Sequence, residues 1–192
     1  MTNRIALGLV MAAAFSAPLC ASTADAENSL RAAVDQVLVI TQKSKGGRGM
    51  AEQLQPILEQ HMCFASMTRR AVGPGWRQFT PEQQTEATEL FTKLVIRSYS
   101  EKFTPGELPQ IKYLKAATPG AGKVEIPTST LYKGSRYVVT YRLENLGKWL
   151  ITDILAEGVS FVANYRAQFD ALVKKGGAGA VLDSLKQSVK RT

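Results

Sequence analysis

The chain has few side chains that could take part in catalysis or bind a metal ion, and the spacing of most of them is unsuitable for either role. His61 is the only histidine and lies two positions before Cys63. Residues two apart point to different faces of a helix, which disfavours a cysteine–histidine nucleophile pair. A single histidine cannot build a multi-histidine zinc site, and the acidic residues lack the close spacing of calcium-binding loops. We therefore expect no metal site and no cofactor.

One acid–base arrangement stays open on the residue types alone. Asp153 lies near the end of a strand-like run, and Tyr99 or Tyr141 could face it inside an apolar pocket of a cone-shaped α+β fold. The competing interpretation is a structural carboxylate that is hydrogen-bonded near the end of a strand. We keep an isomerase-like enzyme as an alternative hypothesis and favour a protein that is not an enzyme.

The stretch around Asp153 has the clearest local pattern. Lys148–Ile154 is rich in β-branched and aromatic side chains and follows Gly147, which predicts a strand. Gly158 ends this run, and Ser160 can cap a following helix. One apolar face of that helix carries Val162, Tyr165 and Phe169. A strand therefore leads into a helix that can fold back onto the sheet.

Capping residues and apolar periodicity predict four helices upstream of this stretch. Asn28 caps the first helix, and the second and third cover Met50–His61 and Phe64–Val72. The fourth begins after Thr80, where a proline and a capping-box glutamine follow in the expected positions. Its apolar stripe continues to about Phe103.

After the fourth helix the pattern changes to period two, which predicts strands joined by short hairpins. The predicted strands are Gln110–Ala116, Lys123–Leu131, Tyr137–Leu143 and Lys148–Ile154. Short connections imply antiparallel pairing, and the third strand has one covered face, formed by Tyr137, Val139, Tyr141 and Leu143. A break at Gly176–Gly177 separates the last two helices. The predicted fold is α+β: a curved four-stranded antiparallel sheet wrapped by N- and C-terminal helices, whose concave apolar face can either collapse into a core or enclose a ligand.

The N-terminus predicts export. Ile5–Phe15 is an apolar run, and Ala24-Asp25-Ala26 has the small-x-small form of a signal-peptidase site. We therefore expect residues 1–26 to be a cleaved signal peptide and residues 27–192 to form a single domain. Cleavage leaves Cys63 as the only cysteine, so no intramolecular disulfide is available and a buried thiol is expected. The net charge of +8 favours acidic partners, and export argues against nucleic acid.

Several short motifs occur in a fixed order between Leu30 and Lys186. They are Ala71-Val72-Gly73 with Trp76-Arg77, Thr80-Pro81-Glu82-Gln83, Phe91, Arg97-Ser98-Tyr99-Ser100, Tyr141-Arg142-Leu143, Trp149, Asp153, Glu157-Gly158-Val159-Ser160 and Asn164-Tyr165-Arg166-Ala167-Gln168-Phe169. Together they resemble the MlaC, or toluene-tolerance, family. One departure is Ala65, which follows Phe64 at a position where that family often has an acidic residue. The resemblance implies a periplasmic phospholipid carrier between an outer-membrane lipoprotein complex and an inner-membrane ABC transporter. A sister branch associated with hopanoid production shares the motifs, so the lipid class stays open.

A carrier of this kind needs an enclosed apolar interior. Burying one methylene contributes about 0.8 kcal/mol, so two long acyl chains in water cost roughly 20 kcal/mol. We predict that the chains insert against Val72, Phe91, Val95, Tyr99, Val139, Tyr141, Ile151, Val162, Tyr165 and Phe169. Arg166 is predicted to pair with the lipid phosphate, with a structural pair to Asp153, Glu157 or Asp170 as the alternative. We expect a monomer.

Overall fold

The structure, a computed structural model, describes residues 22–44, 47–101, 104 and 106–191. Its helices are α1 (Thr23–Lys43), α2 (Gly47–His61), α3 (Phe64–Val72), a short 3-10 helix (Gly73–Gln78), α4 (Pro81–Ser100) and α5 (Phe161–Arg191). Its strands are β1 (Gln110–Tyr113), β2 (Ala117–Gly120), β3 (Lys123–Tyr132), β4 (Ser135–Asn145), β5 (Trp149–Ala156) and β6 (Val159–Ser160). Helices precede and follow the strands, which confirms the predicted α+β class.

Helix α1 begins earlier than the sequence pattern predicts. The Ser22 hydroxyl accepts a hydrogen bond from the Asp25 amide at 3.1 Å, and the Asp25 carboxylate accepts one from the Ser22 amide at 3.0 Å. This reciprocal capping box satisfies two amides at the start of the helix, so the predicted cap at Asn28 is wrong. Ala26, at the predicted signal-peptidase site, is completely buried. Most of the predicted signal peptide lies outside the described residues.

Helices α4 and α5 follow the predicted pattern closely. The Thr80 hydroxyl accepts a hydrogen bond from the Gln83 amide, and the Gln83 side chain accepts one from the Thr80 amide. Helix α4 ends at Ser100, three residues before the predicted end at about Phe103. Helix α5 continues through Gly176–Gly177, where the backbone is non-helical and Gly177 has φ 61° and ψ −148°. The predicted break is therefore present as a kink.

The strands form a six-stranded antiparallel sheet in the order β1-β3-β4-β5-β6, with β2 also paired to β3. All four predicted strands are present. The sequence pattern does not predict β2 or β6, because β2 contains Pro119 and Gly120 and β6 is too short to show a period. Strands β3 and β4 join through Lys133–Gly134, whose φ angles of 50° and 77° fit a two-residue hairpin turn.

The pairing register gives the sheet an inner and an outer face. On the inner face, residues of β3 lie opposite residues of β4: Val124 with Leu143, Ile126 with Tyr141, and Thr128 with Val139. All three β3 side chains are buried. A bulge between Arg142 and Leu143 shifts the pairing with β5 and keeps Ile151 on the inner face. The predicted face of β4 is therefore the inner face, but it is covered only in part: Leu143 is buried, Val139 and Tyr141 are half-buried, and Tyr137 is exposed.

The junction between α2 and α3 closes the free edge of β5. Met62 forms a parallel bridge with Ile151, and the Cys63 amide donates to the Ile151 carbonyl at 2.9 Å. The Ser29 hydroxyl of α1 donates to the Trp149 carbonyl at 3.1 Å. Unpaired edge groups are thereby satisfied by the helical layer. The predicted burial of Cys63 is wrong, since its side chain is half-buried at this junction. None of the helices in the described ranges is long and apolar enough to span a membrane.

We expect Gly75→Ala to destabilise the protein by about 1–3 kcal/mol, because the 3-10 helix packs tightly on α5. A Cβ at Gly75 would lie 2.7 Å from Val173 Cγ1 and 3.2 Å from Val173 Cβ, and a β-branched side chain cannot turn away. Urea unfolding measures the change. Val173→Ala should remove most of the added cost in a double-mutant cycle. Additive effects of the two changes would contradict this contact.

Candidate functional site

Four aromatic side chains form the centre of the candidate site, and we call them the aromatic cluster: Phe91, Phe161, Tyr165 and Phe169. Phe91 of α4 is completely buried, and its ring centroid lies 5.0 Å from Tyr165, 5.9 Å from Phe169 and 6.0 Å from Phe161. The contacts with Tyr165 and Phe169 are edge-to-face, a favourable arrangement of aromatic rings. The predicted apolar faces of α4 and α5 therefore meet.

Three tyrosines come from different elements: Tyr99 belongs to α4, and Tyr113 of β1 and Tyr141 of β4 lie on the inner face of the sheet. Burial raises the pKa of each phenol. The neighbouring Tyr99 and Tyr113 raise the pKa of Tyr141 further. The interior beside the aromatic cluster therefore contains polar hydroxyl groups in largely apolar surroundings.

Stability should fall as the pH rises above about 10, because these pKa values are higher in the folded than in the unfolded chain. Above the ordinary tyrosine pKa of 10.0, the unfolded chain releases protons that the folded chain retains. Tyr141→Phe should flatten this decline. Urea unfolding between about pH 8 and 11 tests it, with the exposed Tyr137→Phe as the matched control. Parallel declines in the wild type and Tyr141→Phe would refute this assignment.

The predicted lining residues divide into a packed group and a more open group. The packed group is buried in the hydrophobic core and contains Val72, Phe91, Val95, Ile151, Val162 and Phe169. The open group is half-buried and contains Tyr99, Val139, Tyr141 and Tyr165. The predicted residues thus come from α3, α4, α5 and the inner face of the sheet, and the open group is the part of the site nearest to solvent.

Arg166 packs against the end of α3. A Cβ at Gly73, which follows α3, would lie 3.1 Å from Arg166 Cζ, so the guanidinium rests on this glycine. Gly73 has φ 68°, a conformation that side chains other than glycine rarely adopt. A cation at the C-terminal end of a helix is favoured by the helix dipole.

The acidic partners proposed for Arg166 have other partners. Asp153 pairs with Arg142, the Glu157 carboxylate accepts from the Val138 amide, and Asp170 pairs with Lys174. Among the described residues, Arg166 forms no ion pair with any of these carboxylates. The alternative structural pair is therefore wrong, and the pairing of Arg166 with a phosphate stays a prediction.

The buried Asp153 carboxylate accepts four hydrogen bonds. Its Oδ1 atom accepts from the Ile154 amide at 2.9 Å and from the Val162 amide at 3.1 Å. Its Oδ2 atom accepts from the Ser160 hydroxyl at 2.6 Å and from Arg142 Nη1 at 3.3 Å. Val162 lies in the first turn of α5, so the carboxylate links the end of β5 to the start of this helix. Its negative charge is stabilised there by the positive end of the helix dipole.

This geometry argues against the isomerase hypothesis. Asp153 lies opposite Arg142, and Tyr141 lies opposite Ile154, so the carboxylate and the phenol project from opposite faces of the sheet. Asp153 and Tyr141 therefore do not form an acid–base pair. Within the part of the chain that the structure describes, no cluster of three or more His, Cys, Asp or Glu side chains could hold a metal ion.

Two open grooves of about 540 Å³ each lie elsewhere on the surface. His61 and Lys148 line one of them, and burial together with the Lys148 charge lowers the pKa of His61. Cys63 lines the other. The histidine and the cysteine therefore face different grooves, as their spacing predicts, and neither groove is lined by the predicted lipid-contacting residues.

Two residues of this region, Phe161 and Tyr113, were not predicted from the sequence. Phe161 precedes the stripe that begins at Val162, but Phe161, Tyr165 and Phe169 recur every four residues and could have been found as one helical face. Tyr113 alternates with Ile111 along β1, and both lie on the inner face opposite Thr128 and Thr130. The period of two in this strand was a usable pattern.

Comparisons with known proteins agree with this architecture. No curated protein sequence matches the chain. A solved structure with a similar fold is that of a phospholipid-binding protein from Ralstonia solanacearum in complex with a phospholipid. The two chains are 26% identical with a TM-score of 0.80, and the match covers 87% of this chain and 98% of that one. The family model described as MlaC protein matches residues 31–187, most of the sequence. The chain therefore belongs to the MlaC family.

Proposed function

We propose that this protein is a periplasmic carrier that binds one phospholipid and moves it between the inner and outer membranes. The observation that carries this proposal is its similarity to a protein of the same fold whose structure contains a phospholipid. The similarity extends over nearly the whole of that protein, at 26% identity. Export by a cleaved signal peptide of residues 1–26 belongs to the same proposal, and cleavage there would remove the Ser22–Asp25 capping box and the buried Ala26 from α1.

The acyl chains are proposed to lie between the aromatic cluster and the inner face of the sheet. The side chains there are apolar or phenolic, which suits hydrocarbon with few polar requirements. Enclosing two long acyl chains offsets roughly 20 kcal/mol of unfavourable contact with water. Phe91, Val162 and Phe169 are buried against other side chains. Acyl chains can therefore enter only if they displace side chains or if the helices move away from the sheet.

The exposure of β4 supports an opening at one end of the sheet. Along the inner face, Leu143 is 1% exposed, Tyr141 and Val139 are half-buried, and Tyr137 is 43% exposed. Val159, at the neighbouring edge, is 65% exposed. An apolar surface therefore continues from the core to solvent, so acyl chains could enter by this end while the headgroup remains near water.

The partners are proposed from the family rather than from a surface of this chain. They are an inner-membrane ABC transporter, which would supply the energy, and an outer-membrane lipoprotein complex. The net charge of +8 would favour encounters with acidic proteins or anionic membranes. Release of cargo needs a second conformation, because an interior that stays closed would trap its lipid. We propose a monomeric carrier.

We expect Val139→Glu to lower bound phospholipid by about tenfold or more, because a carboxylate on the inner face has no partner once acyl chains surround it. The measurement is organic extraction of the purified protein followed by mass spectrometry. Thr140→Glu is the matched control, since Thr140 is the next residue of β4 and projects from the outer face. This control should keep wild-type lipid content.

Two results would count against the proposal. Wild-type protein that is purified without any diacyl lipid, and that takes up none from vesicles, would refute phospholipid carriage. A folded Val139→Glu variant with wild-type lipid content would refute the location of the acyl chains but not the activity. Circular dichroism establishes that both variants are folded.

A further inference from the structure

Arg31 of α1 is an exposed cation held in a fixed position. Its guanidinium carbon lies 3.8 Å from the centroid of the Tyr113 ring, a cation–π contact. Across the described part of the chain, no carboxylate lies within 4.0 Å of this guanidinium, so it has no ion-pair partner. Stacking leaves the edges of the planar group, which bear its N–H donors, free to bind an anion.

The position of Tyr113 connects Arg31 to the proposed lipid site. Tyr113 pairs with Thr128 across the sheet, and Thr128 pairs with Val139. All three residues belong to the inner face, on which Tyr141 lies two residues from Val139. Arg31 therefore lies where the interior meets solvent, beside the end of the sheet at which β4 becomes exposed.

We propose that Arg31 binds the phosphate of the cargo lipid, with Tyr113 as the platform that orients the guanidinium. This inference rests on the proposed function and adds a recognition element for the headgroup. A guanidinium can give two parallel hydrogen bonds to phosphate oxygens, which a lysine ammonium cannot reproduce. The acyl chains would pass Tyr113 and Val139 into the interior.

The charged side chains near Arg31 do not neutralise its guanidinium. Asp35, one turn further along α1, is near enough to Tyr113 to raise the pKa of its phenol, while Arg31 lowers that pKa and burial raises it most. The Asp35 carboxylate is nevertheless outside ion-pairing distance of the guanidinium. Lys112, the neighbour of Tyr113 on β1, is exposed and adds positive charge from the outer face.

The test compares two lipids that differ only in the phosphate, dioleoyl phosphatidic acid and dioleoylglycerol. Delipidated protein is incubated with mixed vesicles of both, and mass spectrometry gives the ratio in the recovered complex. Wild type should favour phosphatidic acid, and Arg31→Gln should lower this ratio about fivefold to tenfold. Arg31→Lys should give an intermediate ratio. Lys186→Gln, which removes an exposed charge on α5, is the control and should leave the ratio unchanged.

The outcomes separate this inference from the proposed function. An unchanged ratio in Arg31→Gln would show that Arg31 only holds α1 against β1; the Arg31 site would be rejected, Arg166 would be the remaining predicted partner of the phosphate, and carriage would stand. A lower ratio in Lys186→Gln as well would assign the preference to net charge and reject the site. Uptake of neither lipid by the wild type would reject the proposed function and this inference together.

Discussion

Asp153→Ala is expected to lower the free energy of unfolding by about 3–5 kcal/mol. The substitution removes the acceptor of four hydrogen bonds, from Ile154, Val162, Ser160 and Arg142. The Val162 amide would then be buried without a partner, and α5 would lose the negative charge at its first turn. Because α5 carries three of the four residues of the aromatic cluster, loss of order at the start of this helix should also disorder the candidate site.

Two further variants make the Asp153 prediction specific. Asp153→Asn keeps one oxygen for the two amides but presents N–H groups towards Arg142, so we expect about half the loss. Asp170→Ala breaks the exposed contact with Lys174, 2.7 Å long, and should cost less than about 0.5 kcal/mol. Urea unfolding measures all three. Equal stabilities of Asp153→Ala and Asp170→Ala would contradict the structural role of Asp153.

Phe91→Ala is expected to destabilise the delipidated protein by about 3–5 kcal/mol. Phe91 is completely buried and contacts three rings of α5, so its removal leaves a void that the surrounding rings cannot fill without leaving their rotamers. If acyl chains lie beside the cluster, as proposed, bound lipid should fill part of the void. The loss should therefore be smaller in lipid-loaded protein, as measured by urea unfolding of both forms.

The matched control for this substitution is Phe91→Leu, which keeps most of the buried volume and should cost less than about 1.5 kcal/mol. Leu90→Ala, at the neighbouring and only partly buried position, should also cost less than Phe91→Ala. A delipidated Phe91→Ala protein as stable as the wild type would mean that the cluster is not a packed core. An identical loss in the two lipid states would place the acyl chains away from Phe91.

Local rules were sufficient for much of this fold. Thr80 and Gln83 predict the start of α4 because the capping box involves only neighbouring residues. Alternation along Tyr137–Leu143 predicts the inner face of β4, since the side-chain period of a strand is two. The kink at Gly176–Gly177 follows from two adjacent residues without side chains.

Contacts between distant residues explain what the pattern did not predict. Ser22 caps α1 although Asn28 is an equally suitable residue type, and burial of Ala26 against other elements favours the longer helix. Arg166 lies on Gly73, which is distant in sequence, so no spacing rule could place its guanidinium. The role of Asp153 depends on the bulge after Arg142, which sets the face from which its carboxylate projects.

The hydrogen bonds between the helices and the edge of β5 restrict how cargo can leave. Cys63 and Ser29 bind main-chain carbonyls of β5, and Lys148 reaches back to the carbonyl of Gln60. Separating the helices from the sheet on this side would break all three bonds. The pivot of any opening movement should therefore lie along β5, and the widest excursion should occur at the far margin, near β1 and the β3–β4 turn.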